Sequence, residues 1–279
     1  MTVTDMPAPH TTVTQRLVGL AGARGEHPAL VGGPATWPGG TLSHADLAVT
    51  LQTAAAGLAW RGLRNQDVVG VYVPDAVSYV LAAHAIRAAG GVPSPISAAS
   101  TVAAVAEQLR DCGARLLVTA DPLVPAALSA ADGSWVRQVI AFDEAPGTVP
   151  FWSLLSRGLC PPACAAPSDL GLVPYTARPD GRMGPNPVTH AQLAVELSRL
   201  FTPAPVTRSD VVLAAPPGGC VREYTVLLDL ALLQGATVVA TPADALPDAA
   251  LRYGGTAAIV PAGMAFPAGL PVRPVTVAC

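Results

Sequence analysis

The sequence predicts an α/β fold with mainly parallel sheets. Two observations carry this. Short valine-rich apolar runs recur along the 279 residues, and amphipathic stretches of helical length lie between most of them. Runs that are apolar throughout suit strands buried on both faces. Strand–helix alternation is the pattern of parallel sheets covered by helices.

The elements follow in order. Ser43, ahead of Ala45-Asp-Leu-Ala, is placed to cap the first long helix, which Gly62 ends after Ala59-Trp-Arg. Val68 to Val73 reads as a strand, and the helix from Val77 to Ala89 stops at Gly90 and Gly91. Leu116 to Thr119 and Val139 to Phe142 are further strands. Asp143 to Ser168 holds Pro146, Pro150, Pro161, Pro162 and Pro167, so it reads as a surface connection with a short helix at Trp152 to Arg157. Leu170 to Tyr175 is expected as one strand. Thr189 and Gln192 have capping-box spacing for the helix that follows. Val211 to Ala215 is a strand, and Pro216-Pro-Gly-Gly219 a turn between strand and helix. Tyr224 to Ala240 is apolar but interrupted by Asp229, Gln234 and Gly235. A membrane span needs about 20 mainly apolar residues, so this stretch reads as a buried helix and then a strand. Ala257 to Val260 and Val275 to Val277 complete the set.

Composition narrows the function. The chain is 51% hydrophobic and 13% charged, which excludes a disordered chain. A net charge of -3 gives no drive toward nucleic acid or an anionic membrane, and 5% aromatics leave few rings for stacking on bases. Met1 to Arg16 contains Asp5, Pro7 and Pro9 and no apolar core of a signal peptide, so the expected location is the cytoplasm. The cysteines, Cys112, Cys160, Cys164, Cys220 and Cys279, are odd in number and scattered, and read as free thiols. The histidines are dispersed as well, so no metal site is expected.

There is no lysine, and all 16 basic residues are arginine. This bears on Tyr175-Thr-Ala-Arg-Pro-Asp-Gly-Arg-Met-Gly-Pro-Asn-Pro-Val-Thr-His190. Pro179, Pro185 and Pro187 each remove a backbone donor, and Asp180 adds negative charge. Arg178 and Arg182 remain as anion-binding candidates; the alternative is a surface turn with two solvated arginines.

Several segments together resemble the adenylate-forming superfamily of acyl-CoA and aryl-CoA ligases and peptide-synthetase adenylation domains. They are Leu42-Ser-His-Ala-Asp-Leu47, Leu58-Ala-Trp-Arg-Gly-Leu-Arg-Asn-Gln-Asp-Val-Val69, Val71-Tyr-Val-Pro-Asp75, Ala88-Ala-Gly-Gly-Val-Pro93 and Gln108-Leu-Arg-Asp-Cys-Gly-Ala-Arg-Leu-Leu-Val-Thr119. Asp169-Leu-Gly-Leu-Val-Pro-Tyr175 resembles the strand entering that family's phosphate loop, and Val188-Thr-His190 its exit. Leu232-Leu-Gln-Gly-Ala-Thr-Val-Val239 resembles a later helix, turn and strand. The resemblance implies two mainly parallel sheets flanked by helices, as in the family's N-terminal domain. It implies one discontinuous subdomain from residues 1–65 and 190–279, and a second from 66–189 that carries the loop 175–187. Set against that family, the chain, which stops at Val275-Thr-Val-Ala-Cys279, is expected to be a truncated N-terminal portion that lacks the later part and the C-terminal domain.

In that family the loop is rich in Ser, Thr and Gly and carries a lysine, so that backbone N–H groups, hydroxyls and charge wrap the triphosphate of ATP. Here only Thr176, Gly181 and Gly184 keep that character, beside Arg178 and Arg182. The acyl-pocket segment Ala214-Ala-Pro-Pro-Gly-Gly-Cys220 lacks the family's aromatic residue and histidine. The resemblance therefore implies a degenerate, acyl-CoA-ligase-like protein that has lost ATP-dependent adenylation and uses no cofactor. It would serve as a non-catalytic partner or ligand-binding protein in biosynthesis, as a homodimer or with a partner protein, with a small acyl or aryl ligand. The alternative is a repurposed, ATP-independent cyclase, hydrolase or transferase. For that, Cys220, Asp229 and His190 are the catalytic candidates. Cys220 after a Gly-Gly turn could be an activated thiol or a small buried apolar residue. Asp229 could be a buried carboxylate with a perturbed pKa, or could sit on a wet face.

Overall fold

The computed structural model describes residues 11–33, 40–179, 181–201, 205–216, 221–261 and 270–277. Two parallel sheets organise them. One has five strands in the order β4 (Val92–Pro95), β3 (Val68–Tyr72), β5 (Leu116–Thr119), β6 (Gln138–Ala141), β7 (Val149–Pro150), all parallel. The other has six, β15 (Arg273–Val277), β14 (Ala257–Pro261), β12 (Val211–Ala214), β13 (Thr237–Ala240), β1 (Pro28–Val31), β2 (Thr41–Ser43). Only the β1–β2 pair in it is antiparallel. Valine and leucine fill β3, β5 and β12 because helices cover both faces, and β5 is buried throughout.

One helix serves both sheets. All 13 residues of α4 (Ala76–Ala88) are buried, and it packs against β3 and β4 on one side and β13 on the other. A helix that is apolar nearly all round belongs in the interior, and the sequence from Ala76 is apolar apart from a few residues such as Ser78, His84 and Arg87. Asp75 caps it by accepting from the Ser78 N–H at 2.8 Å. The C-terminal stop is at Gly90, whose φ is +85°. The helix α8 (Val221–Gln234) is buried almost as completely and feeds β13, so the Tyr224–Ala240 stretch is a helix and a strand. Among the described residues no helix is long and apolar enough to cross a membrane.

Both expected caps form, each as a reciprocal box. Ser43 opens α3 (His44–Trp60) reciprocally with Asp46, and Thr189 opens α7 (His190–Leu200) reciprocally with Gln192. The proline-rich connection carries a 3-10 helix at Phe151–Arg157, held by Phe151 stacking on Phe142 with ring centroids 4.2 Å apart. This turn lies so close to α3 that a Cβ at Gly57 would sit 2.6 Å from Leu154 Cα. Gly57→Ala would improve intrinsic helix propensity by up to about 1 kcal/mol. The clash with main chain outweighs this, and we expect a net loss of about 1–3 kcal/mol in urea unfolding. A stabilised G57A variant would show that the turn moves aside freely.

One expected strand is corrected. Leu170 to Tyr175 is not a single strand. It divides into β8 (Leu170–Leu172), antiparallel to β11 (Val188–Thr189), and β9 (Tyr175–Ala177), antiparallel to β10 (Met183–Pro185). Pro174 stands at the break, where the chain turns from one pairing to the other.

Candidate functional site

The loop 175–187 is a closed hairpin. In its ladder Thr176 faces Gly184, and Ala177 faces Met183. Gly181, at φ +79°, makes the turn. The Gly181 N–H donates to Arg178 O at 2.9 Å, and the Arg178 N–H donates to Arg182 O at 2.8 Å. Asn186 N–H donates back to Pro174 O at 2.8 Å. Asp180 lies outside the described residues. Arg178 and Arg182 are exposed, yet the Arg178 guanidinium lies across Gly184, where a Cβ would collide with it.

Opposite the hairpin stands α5 (Val102–Asp111), and a cavity of about 760 Å³ opens between them. Its charged lining is Arg178 and Arg182 on one side and Glu107 and Asp111 on the other. Tyr175 hydroxyl donates to Asp111 Oδ2 at 2.6 Å. Burial, and then this bond, push the Tyr175 hydroxyl well above its ordinary pKa, so it stays a donor. Two guanidinium groups against two carboxylates leave the groove near neutral. The backbone donors of Arg178, Gly181 and Asn186 are spent inside the loop, and Pro179, Pro185 and Pro187 have none to offer. A triphosphate grip needs free N–H groups and an excess of positive charge. These residues do not fit one.

Two of the three catalytic candidates, Asp229 and His190, occupy a different place, near Arg87 of α4. Asp229 on α8 is 3% exposed and paired with Arg87, whose Nη1 lies 3.1 Å from Asp229 Oδ2. His84 Nε2 lies 3.0 Å from Asp229 Oδ1, and His84 Nδ1 is 2.9 Å from Thr14 Oγ1. His84 thus bridges the Thr14 hydroxyl, to which it is hydrogen-bonded, and the Asp229 carboxylate, beside which its Nε2 lies at ion-pair distance without hydrogen-bond geometry. Arg87 Nε also donates to Gly171 O in β8 at 2.9 Å. Burial alone would raise the Asp229 carboxyl; Arg87 and His84 outweigh it and hold the group below its ordinary value. The reading of Asp229 as a buried, perturbed carboxylate therefore describes its surroundings, and the wet-face alternative does not.

His190 is the first residue of α7 and is buried against Gly171, where a Cβ would lie 2.9 Å from its Nδ1. Burial, and then Arg87, lower its pKa to about 4. At neutral pH it is uncharged and a weak base. The structure thus brings His190 within the field of Arg87 and Asp229, but with the carboxylate already paired. Cys220 lies outside the described residues. Among the described residues no cluster of three or more His, Cys, Asp or Glu side chains is placed to hold a metal ion. Sequence reasoning missed Thr14, His84 and Arg87. A signal existed: His84 and Arg87 are three apart, on one face of an otherwise apolar helix.

Comparison with known proteins gives the fold its relatives. The structure is similar to a long-chain-fatty-acid-CoA ligase from Archaeoglobus fulgidus, with a TM-score of 0.79 and 19% identity over 91% of this chain and 52% of that one. A benzoate CoA ligase from Burkholderia xenovorans gives a TM-score of 0.79 and 19% identity, covering 95% of this chain and 55% of that one. In sequence, 81 residues (29% of this chain) are 36% identical to part of a plipastatin synthase polypeptide of Bacillus subtilis, of which they are 3%. Another 32% identity, over 83 residues, links 30% of the chain to 12% of acetyl-coenzyme A synthetase of Rhodopirellula baltica. The chain spans about half the length of these two solved ligases and a small part of the curated relatives. The family model described as AMP-binding enzyme matches residues 20–263, most of the chain, and the chain therefore belongs to the AMP-binding enzyme family.

Proposed function

We propose that this chain is an acyl-CoA-ligase-like protein without ATP-dependent adenylation, acting as a ligand-binding or partner protein in a biosynthetic pathway. The observation that carries the reading is the hairpin at 175–187, where the Arg178, Gly181 and Asn186 N–H groups are bonded to neighbouring carbonyls and Glu107 and Asp111 face the arginines across the groove. Adenylation places a carboxylate in line with the α-phosphate while fixed donors stabilise the developing charge. A loop with those donors engaged, and with its two arginines faced by two carboxylates, does not supply this. The scaffold around it is intact, with a buried core and reciprocal caps, so the protein retains a folded surface and a groove. The names of the structural relatives, fatty-acid and benzoate CoA ligases, support a small acyl or aryl carboxylate as the ligand class.

The test is ATP–pyrophosphate exchange with a panel of fatty and aromatic carboxylic acids in the presence of magnesium. We expect exchange equal to the enzyme-free blank for every acid. Acid-dependent exchange above the blank would sink the reading.

A further inference from the structure

A second groove, of about 500 Å³, lies at the other end of the five-stranded sheet. It is lined by Val68, Leu116 and Gln138, which open β3, β5 and β6, whereas the hairpin groove is lined by Pro95, which closes β4. Four arginines line it, Arg61, Arg64, Arg115 and Arg137, a quarter of the 16 basic residues in a chain of net charge -3.

The cations are not neutralised locally. None of the four has a carboxylate within ion-pair distance among the described residues. Arg64, Arg115 and Arg137 are exposed, and Arg61 is half-buried, donating to Gln138 Oε1 at 3.2 Å. The one acid in the lining, Asp67, accepts from the Arg64 N–H at 2.9 Å, which fixes the turn. The Arg137 N–H donates to Arg115 O at 2.8 Å, tying two arginine-bearing loops together.

A simpler account is that these arginines only offset helix C-termini. α3 ends at Trp60 and α5 at Asp111, each just before a lining residue. A helix C-terminus carries about half a negative charge. Two such ends and Asp67 amount to about two negative charges, against four arginines. The groove keeps a clear positive excess, focused by the concave wall.

We propose that this groove is an anion site for a small phosphorylated molecule carrying two or more phosphate charges. Guanidinium forks match phosphate oxygens in pairs, and four of them on a concave surface suit a compact polyanion better than a flat acidic protein face. The proposal is independent of the adenylation reading, since it involves neither the hairpin nor its groove.

The experiment is calorimetric titration of the whole chain with pyrophosphate, without magnesium. Wild type is expected to bind, and the double variant Arg115→Ala/Arg137→Ala to bind about tenfold more weakly or worse. Both side chains are exposed, so the variant should keep its circular dichroism and urea midpoint. The Arg178→Ala/Arg182→Ala variant is expected to bind like wild type. Absence of binding in wild type, binding unchanged in the 115/137 variant, or binding lost in the 178/182 variant alone would each overturn the proposal. So would binding of duplex DNA or an acidic peptide in place of pyrophosphate. Exchange activity with ATP and an acid would overturn the adenylation reading and leave this result standing.

Discussion

Asp229→Ala will destabilise the protein by about 3–5 kcal/mol, a large share of the stability of an ordinary domain. The reason is what it leaves behind. Arg87 is 5% exposed, and its Nη1 lies 3.1 Å from Asp229 Oδ2. Without the carboxylate, a buried guanidinium keeps its charge and loses its counter-ion. Asp229→Asn keeps the shape but not the charge and should cost nearly as much. The pair as a whole is worth far less than this, because taking two charges out of water offsets most of their attraction. The double variant Asp229→Leu/Arg87→Met should therefore recover much of the loss, less what His84 and Gly171 O give up. Urea unfolding of the three variants checks this. A loss below about 1 kcal/mol for Asp229→Ala would show that the network does not hold α4 to α8. Because Arg87 also donates to Gly171 O, the same change should loosen β8, which leads into the hairpin, and hydrogen exchange there should rise.

Stability should also fall by about 2–4 kcal/mol between pH 7 and pH 5, before total acid denaturation begins. Two buried histidines drive it. His44 is lowered to about 4 by burial, and then by Arg24 and His27; His190 is lowered to about 4 by burial, and then by Arg87. The ordinary value in the unfolded chain is 6.5. Below 6.5 the unfolded state takes up protons that the folded state refuses until about 4. The stabilisation is thus complete above 6.5 and lost as pH falls toward 4. Each site contributes about 1–2 kcal/mol at pH 5 once solvent screening is allowed for. Asp75 works the other way: burial raises its carboxyl, so its protonation on acidification favours the fold. Asp210 and Asp229 are held below their ordinary 3.8, so what they contribute persists through this window. Urea midpoints at pH 7 and pH 5 test the sign. His44→Gln and His190→Gln should each flatten the slope, and a flat wild-type profile would refute the argument.

The strands and helices are legible in the sequence because their signals are local. Valine runs read as buried strands since both faces of a parallel sheet are covered. Ser43 and Thr189 read as caps because the bond spans three residues. Leu170 to Tyr175 reads as one strand from sequence because nothing local shows that β8 and β9 pair with different partners, at Val188 and at Met183. The missing backbone donors at Pro179, Pro185 and Pro187 are legible too, since a missing N–H is a property of the residue itself.

The sequence by itself determined the α/β class, the family and the proline content of the 175–187 loop, because periodicity, capping and proline chemistry act over a few residues. Only the tertiary structure decided what the polar residues do. Asp229 and Arg87 are 142 residues apart in the chain and meet because the fold brings α8 within side-chain reach of α4. The four arginines of the second groove come from three separate strand beginnings, and only the parallel pairing of β3, β5 and β6 gathers them at one end. Charge pairing depends on distance in space, and sequence spacing does not encode it beyond a helical turn or two.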